Sequence, residues 1–372
     1  MTRTVVQVPG RARRAAAALA AAATVLVGGC SAVTAASGAT TTPSTSPAGT
    51  PSPSASPTPT PTPSPTPSPT RTARTAAQTV VGTLGTFWTG QHWYVFTEPA
   101  HTGPTGQRLG PRRLLTQLLY PLAERGARRP APGRRPLLVF APGFMQCGAP
   151  YTDMLRSWAS AGYVVAIVNF PNSDCKTPAP TESDMVNQPA DMSYVITQML
   201  RLSASARGLF AGLLDPHEIA VTGQSDGGDT VAAIAANTCC RDPRVRAVAV
   251  LSGAEWPPMA GRYFTRPPVP MLFTQGSADS VNFPGCSIQL YRDDPAWERY
   301  YLNLFGATHT GPYWGSNSYE HIVVKVTLAF FNRYVLGRAA AGPAMVAAGD
   351  VGGLSALYAH GDGDLTPSAC DN

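Results

Sequence analysis

The sequence predicts an α/β fold with a mostly parallel sheet, helices on both faces of that sheet, and antiparallel strands at its N-terminal edge. Three observations lead to this fold class. Short apolar runs rich in β-branched residues alternate with longer amphipathic runs, as in chains that build a parallel sheet. The apolar runs carry no polar face, which indicates strands buried on both sides. The alternation extends over roughly 290 residues, a length that one domain can hold.

The first residues form the pattern of an export signal. Four arginines fall within the first 14 residues, an apolar stretch covers residues 15–27, and Gly28-Gly29-Cys30 follows. A basic start, a short apolar run and a small-residue cleavage site are typical of a signal peptide. The cysteine after the small residues resembles a bacterial lipobox, in which Cys30 would be lipidated and become the mature N-terminus. A plain signal peptide that ends near a cysteine is the alternative.

A low-complexity segment follows the signal, since residues 39–70 are almost only Thr, Pro, Ser and Ala. Such a segment buries too little apolar surface to offset the entropy of ordering, so it is expected to stay unfolded. Its proline density predicts a stiff spacer of ~3 Å per residue. We therefore divide the chain into a signal peptide (1–29), a lipid-anchored stalk (30–78) and a folded domain (79–372). The protein is then expected at the outer face of the bacterial cell membrane or outside the cell.

The net charge of +6 does not belong to the folded domain. Six of the 28 Lys and Arg residues precede residue 79, which leaves 22 against all 22 Asp and Glu. A neutral domain offers no surface that would follow a phosphate backbone, so no nucleic-acid partner is expected. We expect a monomer that contacts the membrane through its lipid anchor only.

Six cysteines lie in the folded domain, which permits up to three disulfides in an exported protein. None forms a CxxC pair and no Cys/His cluster has the spacing of a zinc site, so no metal is expected. Cys147 is expected to pair with Cys175, because each follows a predicted strand at its carboxyl end. We further expect Cys239 and Cys240 to pair with distant partners rather than with each other, and Cys286 with Cys370.

The predicted elements follow the alternation along the domain. Two segments, around residues 87–96 and 113–120, look like antiparallel strands that precede the parallel part. The buried parallel strands are predicted at 137–140, 163–169, 218–222, 245–251, 269–274 and 300–305. The helices are predicted near 151–161, 188–209, 226–237 and 319–335.

The stretch AVTGQSDGGDT, residues 220–230, sets Ser225 among glycines between a predicted strand and a predicted helix. A backbone that turns too sharply for side chains would need such glycines, and it would lift the serine hydroxyl above the end of the strand. A serine placed there can act as a nucleophile if a base stands beside it. An ordinary glycine-rich turn is the alternative.

A nucleophilic serine needs a base, and the base needs a carboxylate that orients it. Asp279 follows the predicted strand 269–274, and His309 follows the predicted strand 300–305. Loops at the carboxyl ends of these strands would bring both side chains to the serine. The alternatives are that Asp279 caps a helix and that His309 is an ordinary loop residue. The other histidines precede the serine or stand in a helix or the tail, and fit less well.

Two backbone N–H groups are expected to stabilise the oxyanion. One belongs to Asp226, the residue after the nucleophile, and the other to a loop after an early strand. The predicted strand 137–140 is followed by APGFM, in which Pro142-Gly143 would turn the loop over the serine and present the N–H of Phe144. The Phe144 ring would then help to wall the acyl pocket. A simple strand-ending turn is the alternative.

These motifs together resemble one branch of the α/β-hydrolase superfamily. The segments LLVFAPGF, WASAGYVVAIVNFP, GQSDGG, GSAD and GATH look like bacterial cutinases and polyester hydrolases, and the likeness runs from about residue 113 to 336. They are also similar to platelet-activating-factor acetylhydrolase and dienelactone-hydrolase-like proteins. The resemblance implies an α/β-hydrolase fold with Ser225 as nucleophile, His309 as base and Asp279 as orienting acid. It also implies Phe144 and Asp226 as oxyanion donors and Trp256, after LSGAE, as a residue lining the substrate pocket.

The chain departs from this family at two points. Dienelactone hydrolases use a cysteine nucleophile, whereas this chain has Ser225. Cutinase-like enzymes usually carry methionine after the serine, whereas Asp226 places a charge there, which argues against long apolar polymers as substrates. The predicted activity is that of a serine ester hydrolase, of carboxylesterase, lipase or cutinase type. It would act on a small-molecule, lipid or polyester ester through an acyl-enzyme, without a cofactor. The alternatives are a peptidase or acyltransferase with the same triad, and a non-catalytic surface lipoprotein that keeps the fold.

Overall fold

The computed structural model describes residues 81–265, 269–360, 365 and 370. The predicted signal peptide, the lipidation site Cys30 and the stalk lie outside the described residues, so these expectations stay predictions. Within the described part, no helix combines the length and the apolar character that a bilayer span requires.

The described residues form a nine-stranded sheet and a separate pair of short strands. The strands of the large sheet are β1 (Trp88–Glu98), β4 (Arg112–Leu122), β5 (Arg135–Ala141), β6 (Val164–Asn169), β7 (Leu214–Gln224), β8 (Ala247–Leu251), β9 (Met271–Gly276), β10 (Arg299–Leu304) and β11 (Ser355–Ala359). The short pair is β2 (His101–Thr102) and β3 (Arg108–Leu109). The order across the large sheet is β1-β4-β6-β5-β7-β8-β9-β10-β11. Neighbours from β6 to β10 are parallel, whereas β1 and β4 at one edge and β11 at the other pair antiparallel.

Helices cover both faces of this sheet. In the described part they are α1 (Thr152–Ser160), α2 (Gln188–Ala204), α3 (Asp226–Ala236), α4 (Pro284–Asp293), α5 (Ser318–Tyr334) and α6 (Ala341–Gly349). Two short 3-10 helices, Ala149–Tyr151 and Glu182–Asn187, precede α1 and α2. Successive side chains of a strand point to opposite faces. Leu137 and Val139 of β5 therefore pack with α2, α3 and α4, while Leu138 and Phe140 pack with α1, α5 and α6.

The predicted fold class is confirmed as an α/β fold with a mostly parallel sheet. All six predicted parallel strands are present, and the two early antiparallel strands lie together at one edge of the sheet. The predicted helix 188–209 is shorter, since α2 ends at Ala204, where Ser205 takes an extended conformation. The pattern did not predict α4, α6 or β11.

Three disulfides lie among the described cysteines. The predicted pairs Cys147–Cys175 and Cys286–Cys370 are both present. The expectation for Cys239 and Cys240 is wrong, because these neighbours are bonded to each other. They stand in the turn after α3, where the carbonyl and side-chain oxygens of Asn237 accept from their backbone N–H groups. This turn brings the two adjacent side chains together.

A buried ion-pair cluster fastens the segment before α2 to the sheet. The guanidinium of Arg112, at the start of β4, donates to Asp184 at 2.9 and 2.7 Å and to Asp191 at 2.7 and 2.6 Å. All three residues are buried. Both carboxylates are bound by two parallel N–H groups, which is the strong geometry for such pairs. The 3-10 helix Glu182–Asn187, which contacts α3, is thereby held in place.

Candidate active site

Ser225 occupies a sharp turn between β7 and α3. Its φ of 58° and ψ of −128° lie where a residue with a side chain is strained. A Cβ on Gly223 would overlap the carbonyl of Gly227, and a Cβ on Gly227 would overlap the carbonyl of Ala141. The glycines around Ser225 are therefore required by the close approach of β5, β7 and α3.

Two hydrogen bonds join Ser225, His309 and Asp279. The Oγ of Ser225 lies 2.9 Å from Nε2 of His309, and Nδ1 of His309 lies 2.8 Å from Oδ2 of Asp279. Ser225 follows β7, Asp279 follows β9, and His309 follows β10. Because these strands are parallel, their carboxyl ends share one edge of the sheet, and the three loops meet there. The three residues that the sequence selected are thus in direct contact.

The Asp279 carboxylate is buried and accepts several hydrogen bonds. Oδ1 accepts from the backbone N–H groups of Val281 and Asn282 at 2.9 and 3.1 Å. Oδ2 accepts from Nε2 of Gln275 at 2.8 Å besides His309. Such donors fix the carboxylate in one orientation, and a fixed carboxylate holds the His309 ring with Nδ1 protonated and Nε2 free to accept a proton.

The loop after β5 lies directly over Ser225. A Cβ on Gly143 would stand 3.1 Å from the Cβ of Ser225, so this position leaves room for little more than a glycine. The N–H of Gly143 donates to the Tyr151 hydroxyl at 3.2 Å, and the N–H of Met145 donates to the carbonyl of Ser173 at 2.8 Å. Among the hydrogen bonds of the described residues, none uses the N–H of Phe144 between them. The half-buried Phe144 therefore offers a backbone donor on the loop next to the serine.

The disulfide Cys147–Cys175 ties this loop to the segment after β6. Ser173, which accepts from the loop at Met145, belongs to the same segment. A covalent bond and a backbone hydrogen bond thus fix the loop that carries Phe144.

Gln224 is a buried polar residue that the sequence did not single out. Its Oε1 accepts from the Tyr151 hydroxyl at 2.8 Å, and its Nε2 donates to the carbonyl of His309 at 3.2 Å. Nε2 also lies 3.2 Å from Nε2 of His309. The side chain therefore links the loop over Ser225, through Tyr151, to the loop of the base. The signal was present, since Gln224 is an amide at the end of the buried half of β7, after the run IAVTG. Nothing in the sequence marked Tyr151.

Asp226 begins α3 and is nearly buried, with 7% of its surface exposed. Burial and the nearby charge of Glu182 raise the pKa of Asp226 to about 7, although its own backbone N–H opposes the shift. Burial also raises the pKa of Asp229, one turn further along the helix, whose carboxylate accepts from the N–H of Ala254. The site therefore carries two buried acids beyond the one that orients His309.

Trp256 packs in a small hydrophobic cluster on the side of α3. The cluster contains Val186, Ala233 and Met259, with the disulfide Cys239–Cys240 packed against it. Ala233 stands eight residues beyond Ser225, about 12 Å along the helix at 1.5 Å per residue. The role of Trp256 in lining the substrate pocket stays a prediction.

This arrangement can transfer a proton from a serine hydroxyl to an imidazole that a carboxylate orients, beside backbone N–H groups able to bind an anion. The described residues contain no group of three or more His, Cys, Asp or Glu side chains arranged to hold a metal ion. Comparison of the chain with protein-family models and with curated proteins finds no match in either set.

Proposed function

We propose that this chain is a serine ester hydrolase of the α/β-hydrolase superfamily, as the motifs around Ser225, Asp279 and His309 imply. The observation that carries the proposal is the pair of hydrogen bonds that joins these three residues, at 2.9 and 2.8 Å. A strained serine between a parallel strand and a helix supports the same reaction, because the fold uses such a turn to expose a nucleophile.

The geometry suggests the following course of reaction. Ser225 Oγ attacks the ester carbonyl while His309 Nε2 takes its proton. The N–H groups of Phe144 and Asp226 bind the oxyanion of the tetrahedral intermediate. His309 then protonates the departing alcohol, which leaves an acyl group on Ser225. Water activated by the same histidine hydrolyses this acyl-enzyme and restores the serine, so the cycle needs only residues of this chain and water.

The disulfides support an exported location for this activity, since disulfides persist in oxidising compartments. Together with the signal pattern and Cys30, this leads us to propose a lipoprotein at the outer face of the cell membrane. The enzyme would act there on small-molecule or lipid esters.

The test is hydrolysis of p-nitrophenyl esters of increasing acyl length by the purified protein. Ser225→Ala and His309→Ala should each remove most turnover, and the double variant should be hardly worse, because triad members act as a unit. Asp279→Asn should lower kcat by ~10⁴ with the fold intact, because the imidazole then favours the wrong tautomer. Ser205→Ala, at an exposed serine after α2, is the matched control and should keep full activity.

Full activity of Ser225→Ala would refute the proposal. Rates on peptide substrates, measured in parallel, distinguish an esterase from a peptidase with the same triad.

A further inference from the structure

Asp226 carries a carboxylate that the protein leaves incompletely paired. Its Oδ2 atom is buried and has no hydrogen-bond partner, and only 7% of the residue is exposed. None of the ion pairs among the described residues includes Asp226. An ionised carboxylate that is buried without a cation is costly in free energy. Such a group is therefore either protonated or paired with the cation of a bound ligand.

The groups around Asp226 add negative charge and do not cancel it. Glu182 and Asp229 interact with it electrostatically, and so does Tyr151, whose hydroxyl is neutral at pH 7. The Arg112 guanidinium is already shared between Asp184 and Asp191. The surroundings of Asp226 therefore carry negative charge that a positively charged ligand would offset.

The position of Asp226 places this charge beside the reacting bond. The residue directly follows Ser225 and begins α3, so its backbone N–H lies at the turn that carries the serine. That N–H is the proposed donor to the ester oxyanion. A group bound to the carboxyl is therefore expected near the substrate atoms closest to the carbonyl, on its acyl or its alcohol side.

We propose that the site selects esters that carry an ammonium-type cation close to the scissile carbonyl, and that Asp226 binds this cation. The inference rests on the ester-hydrolase function proposed above. A metal ion fits less well, because magnesium and calcium need several oxygen ligands, and the described residues form no group of three or more ligating side chains. A single buried carboxylate suits an ammonium, which needs one strong acceptor. A bound cation would favour the ionised carboxylate and so lower the raised pKa of Asp226.

The first test compares two esters of equal shape. In alanine benzyl ester an ammonium stands where benzyl isobutyrate has a methyl group. Because the ammonium by itself activates the carbonyl, each preference is divided by the ratio of rates at which hydroxide hydrolyses the two esters. Near pH 7 the α-amino group, with a pKa of about 8, is still mostly protonated. We expect the protein to prefer the cationic ester in kcat/KM by about tenfold to a hundredfold, the range of a hydrogen bond to a charged group.

Asp226→Asn keeps the size and the backbone N–H of this residue and removes the charge. The preference should then fall to about one, chiefly through loss of rate on the cationic ester. Glu182→Gln, at an exposed residue of the same surroundings, is the matched control and should keep most of the preference. A wild-type preference for the neutral ester, or an unchanged ratio in Asp226→Asn, would overturn the inference. Thermal unfolding of each variant verifies that it is folded.

A binding experiment separates this inference from the proposed activity. Ser225→Ala and Ser225→Ala/Asp226→Asn are titrated with the same two esters by calorimetry, where turnover plays no part. Tighter binding of the cationic ester that disappears with Asp226→Asn supports the cation site even if the chain hydrolyses neither ester. Equal affinities refute the cation site, and hydrolysis of benzyl isobutyrate that depends on Ser225 would then leave the esterase proposal standing.

Discussion

The side chain of Gln224 connects the two loops between which an ester would be cleaved. Its amide oxygen accepts from Tyr151, which holds Gly143, and its amide nitrogen donates to the carbonyl of His309. A hydrogen-bond chain of this kind orients groups that must stay within a fraction of an ångström of productive geometry. We propose that Gln224 is a positioning residue, which would act on the reaction through His309 and the loop at Gly143.

Gln224→Glu should change the pH dependence of the rate, an effect that loss of structure alone would not produce. The new carboxylate would lie about 3 Å from Nε2 of His309, and a nearby negative charge favours the protonated imidazole. The acidic limb of the pH–rate profile should therefore move to higher pH. Gln224→Leu should lower kcat by about 10-fold to 100-fold without moving the profile, since it removes the hydrogen bonds and adds no charge. Identical profiles for both variants would contradict this role.

Asp226 also predicts how stability changes with pH. Its pKa is raised in the folded protein from 3.8 to about 7. Between these values the folded state keeps a proton that the unfolded chain has released, so this contribution to stability is complete below pH 3.8 and is lost as the pH rises through 7. Asp226→Asn has no proton to lose. The variant should therefore gain stability relative to the wild type as the pH rises from 4 to 8, by on the order of 4 kcal/mol. Denaturant unfolding at several pH values measures the gap, and a constant gap would contradict the assignment.

At the scale of elements, the sequence predicted the strands and helices that have a clear hydrophobic pattern of their own. The parallel strands are continuous apolar runs, so their pattern is visible without any partner. The element α4 begins with Pro284 at its first turn, a position that suits proline, but its apolar residues are too few to show a helical period. Helix α6 consists almost only of small residues, which present no amphipathic pattern. Strand β11 has five residues and depends on pairing with β10, a contact that no local sequence reveals.

The candidate site divides in the same way. Ser225, Asp279 and His309 could be predicted, because each directly follows a strand and the ends of parallel strands meet. The link between Gln224 and Tyr151 could not be predicted, because they are 73 residues apart in sequence and their hydrogen bond forms only in the folded chain. The pairing of Cys239 with Cys240 was missed because it depends on the conformation of one turn.

The disulfides Cys147–Cys175 and Cys239–Cys240 differ in the length of chain that they enclose, so their contributions to stability can be compared. Cys147–Cys175 closes a loop of 28 residues and should stabilise the fold by about 3 kcal/mol through the entropy of the unfolded chain. Cys147→Ser/Cys175→Ser should lose this stability and also lower kcat, because the loop with Phe144 would move more freely. The bond Cys239–Cys240 joins neighbouring residues and closes no loop. Cys239→Ser/Cys240→Ser should therefore lose much less stability. Thermal unfolding and esterase rates of both variants provide the measurement, and equal losses would contradict the loop argument.

At the scale of the molecule, the candidate site lies at one edge of a sheet whose faces are covered by helices. The loops after β7, β9 and β10 carry the three proposed catalytic residues, and the loop after β5 carries Phe144. The signal pattern and the proposed anchor belong to a part of the chain that shares no residue with this edge. Attachment to the membrane and activity should therefore be separable.

Cys30→Ser tests this separation. The variant should leave the membrane fraction, because it can no longer accept a lipid, while its rate per molecule on p-nitrophenyl esters stays unchanged. Fractionation of cells followed by an esterase assay on each fraction provides the measurement. Retention of the variant in the membrane would contradict lipidation at Cys30.

The strained backbone at Ser225 has a consequence for how such a chain could evolve. Its positive φ costs a residue with a side chain roughly 1–3 kcal/mol, and glycine adopts this conformation without that cost. A selection for expression level alone would thus favour Ser225→Gly, whereas a selection for turnover would forbid it. At Gly223 and Gly227, where any Cβ meets a backbone carbonyl, both selections should reject every substitution. In a mutational scan scored for abundance and for activity, the nucleophile should be the position in this turn where the two scores diverge.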